Sequence, residues 1–296
     1  MQENQTSPNL TPENARDMMN SPEVISKDSK FSDLTKTFFS LNLSRLVVED
    51  NGKHVGIITT KDWAFYLFKN KNKDQFLDIP ITEIMHDIEY VDETTPISKC
   101  ASIMLAKRVS SLAVGSGDHV DGIFTKTDLV KYYALHLPIG HRKVDDYKTS
   151  NYIWVSDNEN TLSVLQKMTE NNISRIIVKN SDGATAGIVT LGDFMRPFNY
   201  IRSQKTSENE PEKNNNQVDR TLEMGPTSGL VLDNRIKVTE IMSKDLFTVQ
   251  KNEDLKIACK TFLDYHIDGV GVVEKNTTLC GILSKTDITR AVSSMN

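Results

Sequence analysis

The sequence predicts an α/β (α+β) protein made of four copies of one small repeat with the order strand, helix, strand, strand, helix. One observation is a seven-residue pattern that recurs four times: Gly, two apolar residues, Thr or Ser, two variable residues, Asp. It occupies residues 56–62, 122–128, 187–193 and 281–287. The other observation is that similar apolar and amphipathic segments flank every copy. Recurrence at this scale is typical of a repeat architecture.

An apolar strand precedes each copy of the pattern, at residues 46–48, 112–114, 176–178 and 270–273. A polar turn joins this strand to the next one. The sequences Asp50-Asn51-Gly52 at 50–52 and Ser-Asp-Gly at 181–183 predict tight hairpin turns, because Asn and Gly tolerate positive φ angles.

An amphipathic helix is predicted before each strand pair, and a second helix after each Asp. In repeat 2, Thr95 is expected to cap the helix and Pro96 to occupy its first turn. Apolar residues at helical spacing support the first helices of repeats 3 and 4. These residues are Leu162, Leu165 and Met168 in repeat 3, and Leu255, Ala258, Phe262 and Leu263 in repeat 4.

The repeat boundaries follow from the spacing. The glycines of the pattern are 66, 65 and 94 residues apart, so an insertion of about 29 residues lies between repeats 3 and 4. Its polar, charged composition predicts a flexible linker. The predicted repeats are 14–68, 81–134, 144–198 and 238–292, with the linker at 199–237.

Comparing the copies predicts how the repeats pair. Repeats 1 and 3 share Asn-x-Ser-Arg at 42–45 and 172–175, whereas repeats 2 and 4 share Thr-Glu-Ile-Met at 82–85 and 239–242. The simplest history is the duplication of a two-repeat module. We therefore expect repeat 1 to pair with repeat 2 and repeat 3 with repeat 4, with a boundary within residues 135–145. A repeat of under 60 residues makes a marginal core alone, which favours pairing.

Composition restricts the function. Charged residues are 25% and hydrophobic residues 38% of the chain, as in globular proteins, and the net charge is −5. This charge disfavours nonspecific nucleic-acid binding, which depends on Lys and Arg. The three cysteines have no metal-site spacing and indicate a reducing, cytoplasmic compartment. Neither a signal peptide nor a membrane span is predicted.

These motifs resemble the cystathionine-β-synthase (CBS) domain family, in the Thr-Glu-Ile-Met segment, the Ser-Arg-Leu/Ile strand start and the Gly-Ile-Val/Ile-Thr-x-x-Asp ending. The resemblance implies that paired repeats form Bateman modules. Such modules bind AMP, ADP, ATP or other adenosyl ligands, for example S-adenosylmethionine, and regulate an enzyme, transporter or channel. It implies an effector on a separate protein, and either a homodimer or a disc of modules within one chain.

The resemblance also implies the binding residues. A carboxylate accepts hydrogen bonds from ribose hydroxyls, and hydroxyl or ammonium groups donate to phosphate. The ribose-phosphate motif is fullest in repeats 2 and 4, at Thr125, Thr127, Asp128, Ser284, Thr286 and Asp287. It is less complete in repeats 1 and 3, at Thr59, Asp62, Thr190 and Asp193. The candidate phosphate contacts are Arg45, Arg175, Lys61, Lys126 and Lys285.

A structural interpretation of the same residues stays open. A Thr that ends a strand and an Asp in the first helical turn are ordinary capping residues, and an Arg that begins a strand is ordinarily exposed. If capping explains them all, the protein is an interaction scaffold with empty pockets.

The remaining function classes have less support. No catalytic motif is present, so we expect no enzyme, no catalytic residues and no required cofactor. No metal site is expected, and a divalent-cation sensor is a weak alternative because the acidic residues form no ligand cage. A transcription-related regulator is a further alternative, which the net charge disfavours.

Overall fold

The computed structural model describes residues 12–70, 76–117, 119–140, 142–195, 235–275 and 278–295. Most of the predicted linker at 199–237 lies outside these residues. Each repeat contributes one three-stranded sheet, in which the first strand runs parallel to the second and the second antiparallel to the third. The strands are β1 (Val24–Ser26), β2 (Arg45–Asp50), β3 (Lys53–Thr59), β4 (Tyr90–Val91), β5 (Ser111–Ser116), β6 (His119–Thr125), β7 (Trp154–Ser156), β8 (Arg175–Lys179), β9 (Thr185–Thr190), β10 (Thr248–Gln250), β11 (Gly269–Glu274) and β12 (Thr278–Ser284).

Helices cover the sheets as the repeat pattern predicts. In repeat 1, for example, a helix separates β1 from β2 and a second helix follows β3 directly. The helices are α1 (Phe31–Leu41), α2 (Thr60–Asn70), α3 (Ile97–Lys107), α4 (Lys126–His136), α5 (Val144–Tyr147), α6 (Thr161–Glu170), α7 (Leu191–Met195), α8 (Leu255–Asp264) and α9 (Lys285–Ser293). The predicted α/β class and the fourfold repeat are therefore confirmed.

Local sequence signals fix the turns and helix ends. Asn51 and Gly52 have φ angles of 50° and 79°, which makes the predicted two-residue hairpin between β2 and β3. The first helix of every repeat ends at a residue in the left-handed region, where the next backbone N–H bonds a carbonyl of the last turn. These residues are Asn42, Arg108, Asn172 and His266.

The helix α3 begins one residue later than predicted. Its N-cap is Pro96, and Thr95 makes no side-chain cap. The first helical N–H, that of Ile97, donates instead to the carbonyl of Glu13 at 3.2 Å. A backbone acceptor from a distant segment has replaced the expected side-chain cap.

The four repeats form two compact units. Unit 1 contains repeats 2 and 4, and unit 2 contains repeats 1 and 3. The pairing of repeats into modules stays a prediction, but no boundary between compact units falls within residues 135–145, because this segment lies inside unit 1 and is bonded to the start of α8. Gly140 donates its N–H to Asp254 at 2.6 Å, and Lys256 donates to the Leu137 carbonyl at 2.7 Å. Unit 1 spans Met1–Pro22, Ile88–Asn151 and Phe247–Asn296; unit 2 spans Glu23–Asp87 and Tyr152–Leu246.

Each unit has its own apolar core. In unit 1, helix α9 packs on α3 and α4, and α4 packs on α8. In unit 2, helix α2 packs on α6 and α7. The core of unit 2 includes Trp63, which stacks on Phe31 and donates its indole N–H to the Thr35 hydroxyl at 2.8 Å. The indole therefore packs without leaving a buried donor unpaired.

Four short segments, which we call straps, lie ahead of the repeats at residues 13–20, 79–86, 142–149 and 236–243. Each strap packs on the sheet of a different repeat from the one that it precedes. The first strap lies on repeat 2, the second on repeat 1, the third on repeat 4 and the fourth on repeat 3. At each start, a strap carbonyl accepts the first N–H of the helix beneath it, from Phe31, Ile97, Thr161 and Leu255.

The far end of each strap explains the glycine of the repeat pattern. There a strap side chain lies on the glycine, and the next strap residue exchanges two backbone hydrogen bonds with the residue after the glycine. A Cβ atom on Gly122 would come within 2.5 Å of the Met19 sulfur, and one on Gly187 within 2.4 Å of the Ser243 carbonyl oxygen. Glycine is needed because the strap backbone and side chain approach too closely for any Cβ.

We predict that Gly187→Ala destabilises the protein by about 1–3 kcal/mol, because the Ser243 carbonyl belongs to a backbone held by two hydrogen bonds. Gly192→Ala is the matched control in the same repeat, since its Cβ would meet nothing nearer than 3.6 Å. In α7 that substitution should be neutral or stabilise by up to about 1 kcal/mol. Urea unfolding measures both. Equal unfolding midpoints for the two variants would contradict the strap contact.

The cysteines provide a second prediction. Cys100 and Cys259 are buried in the core of unit 1, and burial raises the pKa of the Cys100 thiol to about 12 and that of Cys259 further still. Cys280 is partly exposed. We expect one fast-reacting thiol among the three with a disulfide reagent in native buffer, because reaction requires an accessible thiolate. Rapid modification of all three, or loss of the fast thiol only in Cys100→Ala, would contradict this assignment.

Candidate functional site

The Asp of the repeat pattern lies in the first turn of the second helix in every repeat, and the Thr or Ser three residues earlier ends the preceding strand. One carboxylate oxygen of Asp62 accepts from the backbone N–H and the hydroxyl of Thr59, at 2.8 and 2.6 Å. The same pair of bonds joins Thr125 to Asp128 at 2.8 and 2.7 Å. Repeats 3 and 4 have it too, between Thr190 and Asp193 and between Ser284 and Asp287.

This arrangement satisfies free donors at the helix start, so it is a structural cap. Helix capping therefore accounts for one oxygen of each motif carboxylate. What the other oxygen does distinguishes the repeats.

The second carboxylate oxygen has a different partner in repeats 1, 2 and 4. Asp128 accepts from the Asn20 amide at 3.0 Å and from Lys131 at 3.4 Å, and its side chain is 1% exposed. Asp287 is paired with Arg290 one helical turn later. Asp62 bonds the imidazole of His86 at 2.7 Å and is 19% exposed. Asp62 is thus more accessible than Asp128 or Asp287, although its motif is less complete.

In unit 1 the two fuller motifs come together. Lys126 donates to the Thr286 hydroxyl at 3.0 Å, and Lys285 donates to the Thr127 hydroxyl at 2.9 Å. Lys285 also pairs with Asp268 at 2.5 Å. We call Lys126, Thr127, Lys285 and Thr286 the lysine–threonine cluster. It places two ammonium groups and two hydroxyls at the starts of α4 and α9, which are the positive ends of the helix dipoles.

Unit 2 arranges its cations differently. Arg45 and Arg175 stand opposite Thr59 and Thr190 on the neighbouring strands. Lys61 donates to the backbone carbonyl and the side-chain oxygen of Asn172, at 2.9 and 3.1 Å. Desolvation of the ammonium group, and then the charge of Arg175, lower the pKa of Lys61. Repeats 1 and 3 thus share an Arg at a strand start, and repeat 1 also has Lys61 in the first turn of α2.

An open groove of about 260 Å³ lies between α2 and α6 in unit 2. It does not include Asp62 or Asp193. Its polar lining is confined to a few groups beside apolar side chains, so it does not supply the ribose and phosphate contacts that the motif implies. The lining residues are Lys61, Ala64, Phe65, Met168, Thr169, Asn172, Ile173 and Leu191.

Four residues that engage the motif carboxylates were not identified from sequence: Asn20, His86, Lys131 and Arg290. Two of them could have been found, because Lys131 and Arg290 both follow their Asp by three residues, one helical turn. Asn20 is 108 residues from Asp128 and reaches it only through the strap. Among the described residues no cluster of metal ligands and no helix that could cross a membrane is present.

The cap makes a direct prediction. Asp128→Ala removes the acceptor for Thr125, Asn20 and Lys131, and should lower the free energy of unfolding by about 2 kcal/mol. Asp121→Ala, in the same repeat but 58% exposed, should change it by less than about 0.5 kcal/mol. Urea midpoints at neutral pH compare the two. An unchanged free energy of unfolding in Asp128→Ala would show that the carboxylate is not needed for the fold.

Sequence comparison identifies known proteins that are similar to this chain. The chain is 25% identical over 258 residues to protein MJ1225 of Methanocaldococcus jannaschii, covering 80% of this chain and 82% of that protein. It is 26% identical over 257 residues to MJ1404 of the same organism, covering 84% of this chain but 56% of that protein. Both relatives are uncharacterised.

Two solved structures share the fold. That of MJ1225, described as a proposed archaeal homologue of γ-AMPK, has a TM-score of 0.75 at 20% identity, over 94% of this chain and 99% of that one. An uncharacterised conserved protein from Pyrococcus horikoshii has a TM-score of 0.59 at 18% identity, over 94% and 99%. The CBS domain model matches residues 15–69, 81–135, 144–199 and 238–294, so this chain belongs to the CBS domain family.

Proposed function

We propose that this protein is a regulatory sensor of adenine nucleotides, or of another adenosyl ligand such as S-adenosylmethionine, and that it acts on a separate effector protein. The observation that carries the proposal is the lysine–threonine cluster of unit 1, where the two fullest motifs meet. Membership of the CBS domain family supports an adenosyl ligand rather than another anion.

The chemistry of the cluster suits a phosphate group. Two ammonium groups donate to two neutral hydroxyls, which are weak acceptors for a cation. A phosphate oxygen in their place would form charge-assisted hydrogen bonds, and the positive ends of the α4 and α9 helix dipoles would favour its negative charge. The hydroxyls of Thr127 and Thr286 would then donate to the same group. Lys126 would exchange a hydroxyl for a charged acceptor, whereas Lys285 would share its ammonium group between the phosphate and Asp268, and the helices would not need to be rebuilt.

Ribose recognition by the carboxylates has a cost that differs between repeats. Asp128 and Asp287 would have to share or release the cations Lys131 and Arg290. Asp62 would have to release His86. Each capping oxygen can stay bonded to its Thr or Ser, because the ligand requires only the second oxygen.

Regulation would follow from different ligand affinities in two conformations of the protein, since a ligand shifts an equilibrium only by that difference. We assign no catalytic step to the chain, because the motif carboxylates serve as caps and ion-pair partners. The buried thiols Cys100 and Cys259 fit a reducing, cytoplasmic location, which we include in the proposal.

An interaction scaffold with empty pockets is the second candidate. Its support is that Asp128 and Asp287 are buried and fully engaged by groups of the chain itself. In a scaffold, the cluster would serve only to join repeats 2 and 4.

The two candidates are separated by calorimetric titration with AMP, ADP, ATP, NADH and S-adenosylmethionine. We expect at least one of them to bind the wild type. Lys126→Ala and Lys285→Ala should each weaken binding of a phosphate-bearing ligand by about tenfold or more, because each removes a charged hydrogen-bond donor. Lys107→Ala, an exposed lysine of unit 1 paired with Glu89, is the control and should bind as the wild type does.

The titration has two adverse outcomes. No heat and no thermal shift with any of these compounds would refute the sensor and favour the scaffold, because a ligand that binds the folded state raises its stability. Binding that is unchanged in both lysine variants would leave a sensor but remove the cluster as the phosphate site.

A further inference from the structure

His86 is the last residue of the strap that lies on repeat 1, and its side chain is held against the motif carboxylate. Its backbone exchanges two hydrogen bonds with Ile57, both at 2.9 Å. The preceding Met85 lies on Gly56. This fixes the backbone and directs the imidazole Nε2 to the outer oxygen of Asp62 at 2.7 Å.

Repeat 1 is distinguished by the kind of partner that its carboxylate has. In repeats 2 and 4 the residue three positions after the Asp is Lys131 or Arg290, each paired with that Asp. In repeat 1 this position is Phe65, whose side chain is exposed. The partner is instead a histidine from the strap. Lys and Arg keep their charge throughout the physiological range, whereas an imidazole changes charge between about pH 5 and 8.

We propose that His86 is a pH-dependent competitor for Asp62, so that acidification closes the ribose-binding oxygen of repeat 1. When the imidazole is protonated, the contact becomes an ion pair as well as a hydrogen bond, and a ribose hydroxyl must displace a stronger partner. When it is neutral, displacement costs less. The affinity of repeat 1 for its ribose-bearing ligand is therefore highest at high pH and falls as pH decreases. This inference rests on the proposed function.

The surroundings of His86 carry charges of both signs. Asp62 contacts it from the start of α2, and the neighbouring Lys61 is held by Asn172. Glu83 precedes it on the strap and Asp87 follows it, while Lys53 and His54 lie at the opposite end of β3 from Ile57. The carboxylate at 2.7 Å is the group that the imidazole contacts, so the switch is assigned to this pair.

The pair itself is tested without ligand. A double-mutant cycle with His86→Gln and Asp62→Asn is measured by urea unfolding at about pH 8 and about pH 5.5, which bracket imidazole titration. Glutamine can keep a hydrogen bond but cannot gain charge. Since the His86 side chain is 62% exposed, we expect the two substitutions to be non-additive in the unfolding equilibrium constant by a factor of about three to five at the lower pH. At the higher pH this factor should be near one. Equal coupling at both pH values would overturn the switch.

The effect on binding is tested by titrating AMP into the wild type, His86→Gln and His119→Gln at the same two pH values. His119 pairs with Asp121 at 3.4 Å on an exposed surface of unit 1 and serves as the matched control. The AMP phosphate titrates equally in all three proteins. We expect acidification to weaken the wild type and His119→Gln about three- to fivefold more than His86→Gln.

The outcomes separate this inference from the function on which it rests. Binding with the same pH dependence in all three proteins overturns the competitor role of His86 and leaves the sensor intact. Absence of AMP binding at about pH 8 in every protein, while the other adenosyl compounds bind, overturns the competitor role for nucleotides. Absence of binding by all adenosyl compounds refutes the proposed function as well.

Discussion

The close approach of each strap to a glycine is the constraint on which the other features of this structure depend. At Gly187 a Cβ would meet the Ser243 backbone oxygen at 2.4 Å, and at Gly122 it would meet the Met19 sulfur at 2.5 Å, so a larger residue at either position would displace the strap or its side chain. Because the strap lies there, its next residue can pair with the strand edge and turn its side chain to the motif Asp. Asn20 and His86 reach Asp128 and Asp62 in this way. The glycine that marks the repeat in the sequence thus positions groups around the carboxylate.

Much of the fold was predictable from sequence because it depends on local signals. Strand and helix order, the hairpin at Asn51 and Gly52, and the fourfold recurrence all follow from periodicity and turn chemistry. The grouping of repeats into compact units was not predictable in the same way. Nothing in the similarity of repeats 2 and 4 indicated that their helices would pack together in unit 1. Sequence similarity records descent, whereas packing depends on surfaces that lie far apart along the chain.

The candidate site was likewise predictable from sequence only in part. The motif Asp, Thr and Ser residues were found from sequence as a set, and their ligand contacts stay predictions; the structure adds that one oxygen of each carboxylate is a helix cap. The partners of the second oxygen come from the strap or from one helical turn away, and they differ in charge behaviour. The carboxylate can therefore stabilise the fold and still differ between repeats in how readily it accepts a ligand.

The central claim is that the lysine–threonine cluster of unit 1 holds the phosphate of an adenosyl ligand. A crystal structure of the full chain with ADP tests it most directly. The account predicts phosphate oxygens within hydrogen-bonding distance of Lys126 and Lys285, with the bonds from these lysines to Thr286 and Thr127 broken or shared. ADP bound with its phosphates away from both lysines, and both lysine–threonine bonds unchanged, would contradict it.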